Sequence, residues 1–287
     1  MSFPFKTVAL IGKHNSPEIR DQLLALVQFL AAHKLAIVIE EYSAERLDIK
    51  GYPTQALKAM SGDIDLAIVV GGDGTMLTAG RGLMGTGIPL VGVNRGTFGF
   101  LTDISSDDML PAMEKILAGE YTLEERIMLC VHIERDGDLL SKGRAFNDVV
   151  VSKGDSSRLI EMTLAVDGQV LNRQRSDGMI VATPSGTTAY ALSAGGPVLH
   201  PTLDAIAIVP ICPHTFTNRP ITINSASKIE ITYVHGEDAK VHVDGLLHVV
   251  LQLGDKVLVK RDERTVTLLH PKGHSHYEVL RQKLHWG

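Results

Sequence analysis

Leu66-Ala67-Ile68-Val69-Val70 is an unbroken apolar run that stops at Gly71-Gly72-Asp73-Gly74. A strand with apolar side chains on both faces needs cover on both, which is the pattern of a parallel sheet between helices. Its neighbours repeat the theme. Val8-Ala9-Leu10-Ile11 ends at Gly12, Ala36 to Ile39 is a second short strand, and Pro89 to Val93 ends in Asn94-Arg95-Gly96. Between them, Ser16 and Pro17 mark a helix start, and Ile19, Leu23, Val27 and Leu30 recur on one helical face. Helices are also predicted over Thr75 to Leu83 and over Asp107 to Ala118, the latter stopped by Gly119. The first part is therefore predicted to be an α/β domain with a parallel sheet.

After Gly119 the rhythm changes. Cys130 to Glu134, Met162 to Val166 and Lys228 to Tyr233 are strand-like, and several of these segments alternate polar and apolar residues. Asp136-Gly137, Asp167-Gly168 and Asp244-Gly245 are hairpin-turn dipeptides. The chain divides into an α/β domain over 1–121, a β-rich domain over 122–270 and a C-terminal segment, 271–287. Within that segment Tyr277 to Leu284 is helix-like and is predicted to pack back on the first domain. The 287 residues, 44% of them hydrophobic, can bury two cores.

A net charge of −5 argues against non-specific nucleic-acid binding. Cys130 and Cys212 form neither a disulfide framework nor a zinc pattern, which fits a reducing cytoplasm. No signal-like N-terminus or membrane-length apolar window is present, so no membrane association is expected.

Asp73 stands where a buried strand gives way to a helix, the edge at which open α/β sheets bind ligands. The helix N-terminus would aim N–H groups at a phosphate, and Gly71, Gly72 and Gly74 would let that phosphate approach. Asn94 and Arg95 end the next strand in the same manner. Gly-Gly-Asp-Gly by itself is also an ordinary turn. Asn147-Asp148 could serve ribose hydroxyls or simply start a strand, and Asp177-Gly178 is explicable as a turn. The segment Thr183 to Pro197 packs small and hydroxyl residues too densely for a plain loop and suits a nucleotide held without bulky side chains.

Gly80-Arg81-Gly82-Leu83-Met84-Gly85 matches the dinucleotide fingerprint literally. It follows a helical stretch rather than a strand, so it is set aside. Neither a Walker A loop nor a nucleophile elbow is present. His270, His274 and His276 read as a polar, exposed loop with no acid at ligand spacing, and no metal is assigned to them. His132 and His242 read as polar-face strand residues.

Taken in order, Gly71-Gly72-Asp73-Gly74, Asn94 to Leu101, Asn147-Asp148, Arg175-Ser176-Asp177-Gly178 and Thr183 to Pro197 resemble the NAD kinase family. The likeness runs from about Val8 to His270. It implies a Rossmann-like N-terminal domain, a β-rich C-terminal domain and an active site between them. It implies ATP-dependent phosphorylation of the adenosine-ribose 2′-hydroxyl of NAD, giving NADP and ADP. A divalent cation (Mg²⁺ or Mn²⁺), a cytoplasmic setting and a homodimer or homotetramer are implied too. Carried over by motif, Asp73 is the acid-base residue, Gly74 contacts NAD, and Gly71, Gly72, Asn94 and Arg95 form the phosphate turns. Asn147, Asp148, Arg158, Arg175, Asp177, Thr188, Ala189, Tyr190, Ala191, Leu192 and Ser193 become NAD contacts. A charged residue at Arg175 goes, in that family, with preference for NAD over NADH. Family members often carry Glu at Asp148 and Gln shortly after Asp244; Leu246 and Leu247 stand here, so no contact is assigned there.

Two other readings compete. A lipid or sugar kinase would explain Gly71 to Gly74 but not Thr183 to Pro197. A non-catalytic dinucleotide sensor would have little need of the carboxylate at Asp73.

Overall fold

The structure is a computed structural model that describes residues 4–13, 17–94 and 99–286. It forms two compact units, 1–125 with 266–287, and 126–265. The chain leaves the first unit along strand Tyr121–Arg135 and re-enters it along strand Lys256–Pro271.

In the first unit the strands lie in the order Thr54–Gln55, Ala36–Glu40, Thr7–Gly12, Leu66–Val70, Leu90–Asn94, every pair parallel. Leu268 adds a further parallel partner at Leu90. Leu66–Val70 is buried at every residue, as its unbroken apolar run requires. The helix Pro17–Ala32 turns Ile19, Leu23, Leu26, Val27 and Leu30 onto the sheet, and helix Met109–Leu117 buries Met109, Met113, Ile116 and Leu117 in the same core. This second helix is shorter than the predicted Asp107 to Ala118, and Gly119 follows it at φ +91°. Ser16, the predicted N-cap, lies outside the described residues. Strand order reverses beside Thr7–Gly12: its successor Ala36–Glu40 lies on one side and Leu66–Val70 on the other. A crevice therefore opens at the carboxyl ends of these strands, beyond Gly12 and Val70.

The second unit is β-rich. Gly178–Ala182 is central to a six-stranded antiparallel sheet, between Ala205–Ile211 and Asp148–Lys153. One face of that sheet packs, through Val149, Val151, Met179 and Val181, on Ile160, Met162, Ile231 and Val257 of a second group of strands. Its other face, through Val150, Ile180 and Ala207, packs on Ala191 and Leu199. The segment after Ala182 is thus folded back on the sheet that delivers it. The three Asp-Gly dipeptides have positive φ at both residues, +53°/+88°, +51°/+79° and +49°/+76°, as two-residue hairpin turns demand. Both cysteines are free. Among the described residues no helix is long and apolar enough to cross a membrane.

Candidate active site

The first group of site residues gathers at the crevice of the first unit. The helix Asp73–Leu83 begins at the acid itself, two residues before the predicted start, with Gly72 as N-cap. A carboxylate in the first turn is favoured by the helix dipole, which the apolar periodicity alone does not register. Asp73 reaches across to a remote turn. Its Oδ2 accepts the Phe100 N–H at 2.9 Å and its Oδ1 the Leu101 N–H at 3.0 Å, with the Thr102 hydroxyl at 3.4 Å. Asn94 joins the same turn, donating from Nδ2 to Thr102 Oγ1 at 2.9 Å. Gly99 is what lets the turn come so close, since a Cβ there would collide with the Asp73 carboxylate. Arg95 lies outside the described residues.

A cavity of about 300 Å³ opens beside this acid, lined by Gly12, Lys13, Gly72, Gly74, Thr75 and Thr78 among others. Gly74 is exposed and nothing stands within 4 Å of where its Cβ would be. Backbone N–H groups at a helix start, one lysine and the open space at Gly72 and Gly74 have the chemistry that suits a phosphate, although Glu40 also lines the cavity. Lys13 escaped the sequence reading. Its signal was a basic residue directly after the glycine that closes the first strand.

The other predicted site residues lie in the β-rich unit. The Phe146-Asn147-Asp148 turn is gripped from two sides. Asp244 accepts three successive backbone N–H groups, from Phe146 at 3.0 Å, Asn147 at 2.8 Å and Asp148 at 3.2 Å. Thr183 donates its hydroxyl to the Phe146 carbonyl at 2.6 Å and its N–H to the Asn147 carbonyl at 2.8 Å. Gly186 lies so close that a Cβ would collide with the Asn147 backbone. Asp148 is 4% exposed, and burial, with Asp244 as a nearby like charge, pushes its carboxyl up to about 7. Asn147 Oδ1 is buried without a hydrogen-bond partner among the described residues.

Thr188 and Ala189 are half-buried, Tyr190 is 47% exposed and Ser193 is exposed. Ala191 faces the sheet core, so its side chain supports the segment from beneath. Asp177 pairs with Lys153 at 2.8 Å, and its N–H donates to the Ile211 carbonyl. Arg175 is exposed; its carbonyl accepts the His214 N–H. Arg158 pairs with Glu237 at the surface of the same unit. Gly80 to Leu83 lie in the last turn of helix Asp73–Leu83, well away from its N-terminus, where the literal fingerprint has no phosphate role.

One expectation is overturned. His270 is not on an exposed loop. It lies at the end of strand Lys256–Pro271, is 2% exposed, and hydrogen-bonds through Nδ1 to Asp103 Oδ2. The acid partner was invisible to spacing because it lies 167 residues earlier.

A strand order that reverses near the acid, a cavity beside it whose lining suits a phosphate and a separate unit with a tightly held polar turn are compatible with a two-domain phosphotransferase. Family models agree: residues 8–121 match the ATP-NAD kinase N-terminal domain and residues 146–270 the ATP-NAD kinase C-terminal domain. The chain is 49% identical to the NAD kinase of Thiobacillus denitrificans, covering 100% of this chain and 99% of that one. It is 47% identical to the NAD kinase of Aromatoleum aromaticum, covering 100% and 96%. Yeast NADH kinase complexed with NADH superposes with a TM-score of 0.90 at 25% identity over 99% of this chain and 89% of that one. An NAD kinase from Archaeoglobus fulgidus in complex with ATP gives 0.73 at 25% identity, over 97% and 98%. The chain belongs to the NAD kinase family and is a phosphoryl-transfer enzyme with NAD as its acceptor.

Proposed function

We propose that the two groups of residues divide one reaction, in which the γ-phosphoryl group of ATP passes to the adenosine-ribose 2′-hydroxyl of NAD. The first unit supplies the base and the donor phosphate site; the second supplies the NAD contacts. The observation that carries this reading is Asp73 at the head of its helix, beside an open, glycine-lined cavity that contains Lys13. The ribose hydroxyl is a poor nucleophile until it gives up its proton. Asp73 accepts that proton while the oxygen attacks phosphorus and ADP departs. Its carboxylate has about four lone-pair sites. The Phe100 and Leu101 N–H groups take one on each oxygen and fix the group's orientation, leaving room for the hydroxyl.

Gly71, Gly72, Gly74 and Lys13 receive the donor phosphates, with Asn94 at the end of the neighbouring strand; Arg95, outside the described residues, is assigned to them from the sequence motif alone. Asn147 and Asp148 hold NAD, and so do Arg158, Arg175, Asp177 and Thr188 to Ser193. The charged Arg175 supports NAD over NADH as acceptor. A divalent cation accompanies ATP. It is proposed to travel with the triphosphate, as in other phosphoryl-transfer enzymes. The strand order of the first unit supports a Rossmann-like description. Family membership supports a cytoplasmic homo-oligomer.

The test is to incubate the chain with NAD, ATP and Mg²⁺ and to detect NADP with an NADP-specific dehydrogenase. NADP should accumulate in step with ADP, and Asp73→Asn should abolish most of it while NAD binding persists. NAD binding without product by the unaltered chain would replace this reading with that of a sensor.

A further inference from the structure

Among the described residues one group of three metal-ligand side chains comes together: Asp103, His270 and His274. Asp103 follows the turn that holds Asp73, His270 ends strand Lys256–Pro271, and His274 precedes helix His276–Leu284, all within the first unit. Both imidazoles present Nδ1 to the same oxygen. His270 bonds Asp103 Oδ2, and His274 Nδ1 lies 3.3 Å from it. The two rings stack with centroids 4.1 Å apart, and one candidate ligand atom from each residue falls within 4.8 Å of the others. Glu124 Oε2 stands 3.8 Å from His270 Nε2.

Two features make this more than a hydrogen-bonded cluster. Asp103 Oδ1 is buried with no hydrogen-bond partner among the described residues, on a side chain only 8% exposed. Orphaned polar atoms at such depth are costly. Among the described residues the ion-pair partners of Asp103 are the two imidazoles, with no lysine or arginine. A dication offsets the Asp103 carboxylate without requiring either imidazole to be charged. A cavity of about 230 Å³, lined by Gly99, Asp103, His274, Ser275 and Glu278 among others, gives an entry path.

We propose that Asp103, His270 and His274 bind one divalent transition-metal ion of the zinc type, with water as fourth ligand. Two imidazole nitrogens and one carboxylate select Zn²⁺ and its neighbours over Mg²⁺. The site is therefore separate from the cation that accompanies ATP. The ion takes the point on which the two Nδ1 atoms converge, displacing the Asp103 oxygen that occupies it here. It would tie the C-terminal turn to the segment whose Phe100, Leu101 and Thr102 orient Asp73.

The test uses the full chain stripped with EDTA and titrated with Zn²⁺ by calorimetry, and with Co²⁺ by visible absorption. One saturable equivalent is expected, with Co²⁺ bands of a low-coordinate nitrogen–oxygen site and a raised thermal midpoint. His274→Ala should weaken binding by at least about tenfold, the loss that even a supporting residue can cause. His274 lies nearer the surface than His270, so this variant should fold even if Asp103→Asn does not. His235→Ala, an exposed histidine of the other unit, should bind as the unaltered chain does. No saturable binding, or equal binding by His274→Ala, overturns the proposal in favour of a cluster held by protons alone.

Discussion

Asp73 and Asp244 use one device for two ends. Each is an aspartate that accepts consecutive backbone N–H groups from a remote turn, 100–101 for Asp73 and 146–148 for Asp244. Their surroundings differ. Asp73 is half-buried at a helix head, with the open cavity and the exposed Gly74 beside it. Asp244 sits in a hairpin turn, and beside it Asp148 is 4% exposed with its carboxyl pushed up to about 7. The same acid–amide geometry is therefore compatible with chemistry where space is left for a reactant. Where that space is filled, it holds other residues in place. A hydrogen-bond inventory alone would not separate the two.

The largest effect should come from Asp73→Asn. Turnover should fall by ~10²–10⁴-fold, the usual worth of a general base, with KM for NAD nearly unchanged. A variant that lost NAD binding instead would make Asp73 a second Asp244. Next, Asp244→Asn should raise KM for NAD by about 10- to 100-fold, since hydrogen bonds to a charged group are worth ~1.5–3 kcal/mol. Its kcat should change much less; equal losses in both would erase the contrast. Gly186→Ala should lower stability by about 1–3 kcal/mol through overpacking against Asn147, read as a drop in denaturant midpoint.

Proton linkage gives a subtler probe. Asp148 titrates near 3.8 when unfolded and near 7 when folded, so the native state holds the extra proton between those values. Its contribution is present in full below pH 3.8 and is lost as pH rises to about 7, with a slope of at most ~1.4 kcal/mol per pH unit. Asp148→Asn should flatten that part of the stability profile, measured by urea unfolding at a series of pH values. The smallest effect on stability belongs to Gly74→Ala. Nothing occupies its Cβ position, and within a helix alanine is favoured by up to ~1 kcal/mol. The thermal midpoint should hold or rise while KM for ATP increases, which would separate space kept for a ligand from space needed by the fold.

Much of this frame is legible in the sequence, for reasons that differ by residue. The apolar run Leu66 to Val70 and the three Asp-Gly turns carry local signals, periodicity and turn chemistry, that act within a few residues. Gly80 to Gly85 could be dismissed because its context was wrong, and it indeed begins within a helix. The grip of Asp244 on 146–148 leaves no such trace, since the partners lie 96 to 98 residues away. His270 misleads for the same reason. Among polar neighbours it looks like a surface residue, while Asp103, its buried partner, lies 167 residues earlier in the chain.

The strand Gly178–Ala182 is buried throughout and bonded to a neighbour on each side. Its amides should therefore exchange with deuterium only through the deepest openings of the unit. The Thr183 segment starts at the end of that strand, yet includes the exposed Tyr190 and Ser193. Strongly and more weakly protected amides are thus expected within about fifteen residues of each other, a ready-made internal reference. Slowing of exchange on NAD addition that is confined to 188–193, with 178–182 unchanged, would map dinucleotide contact without labelling either substrate.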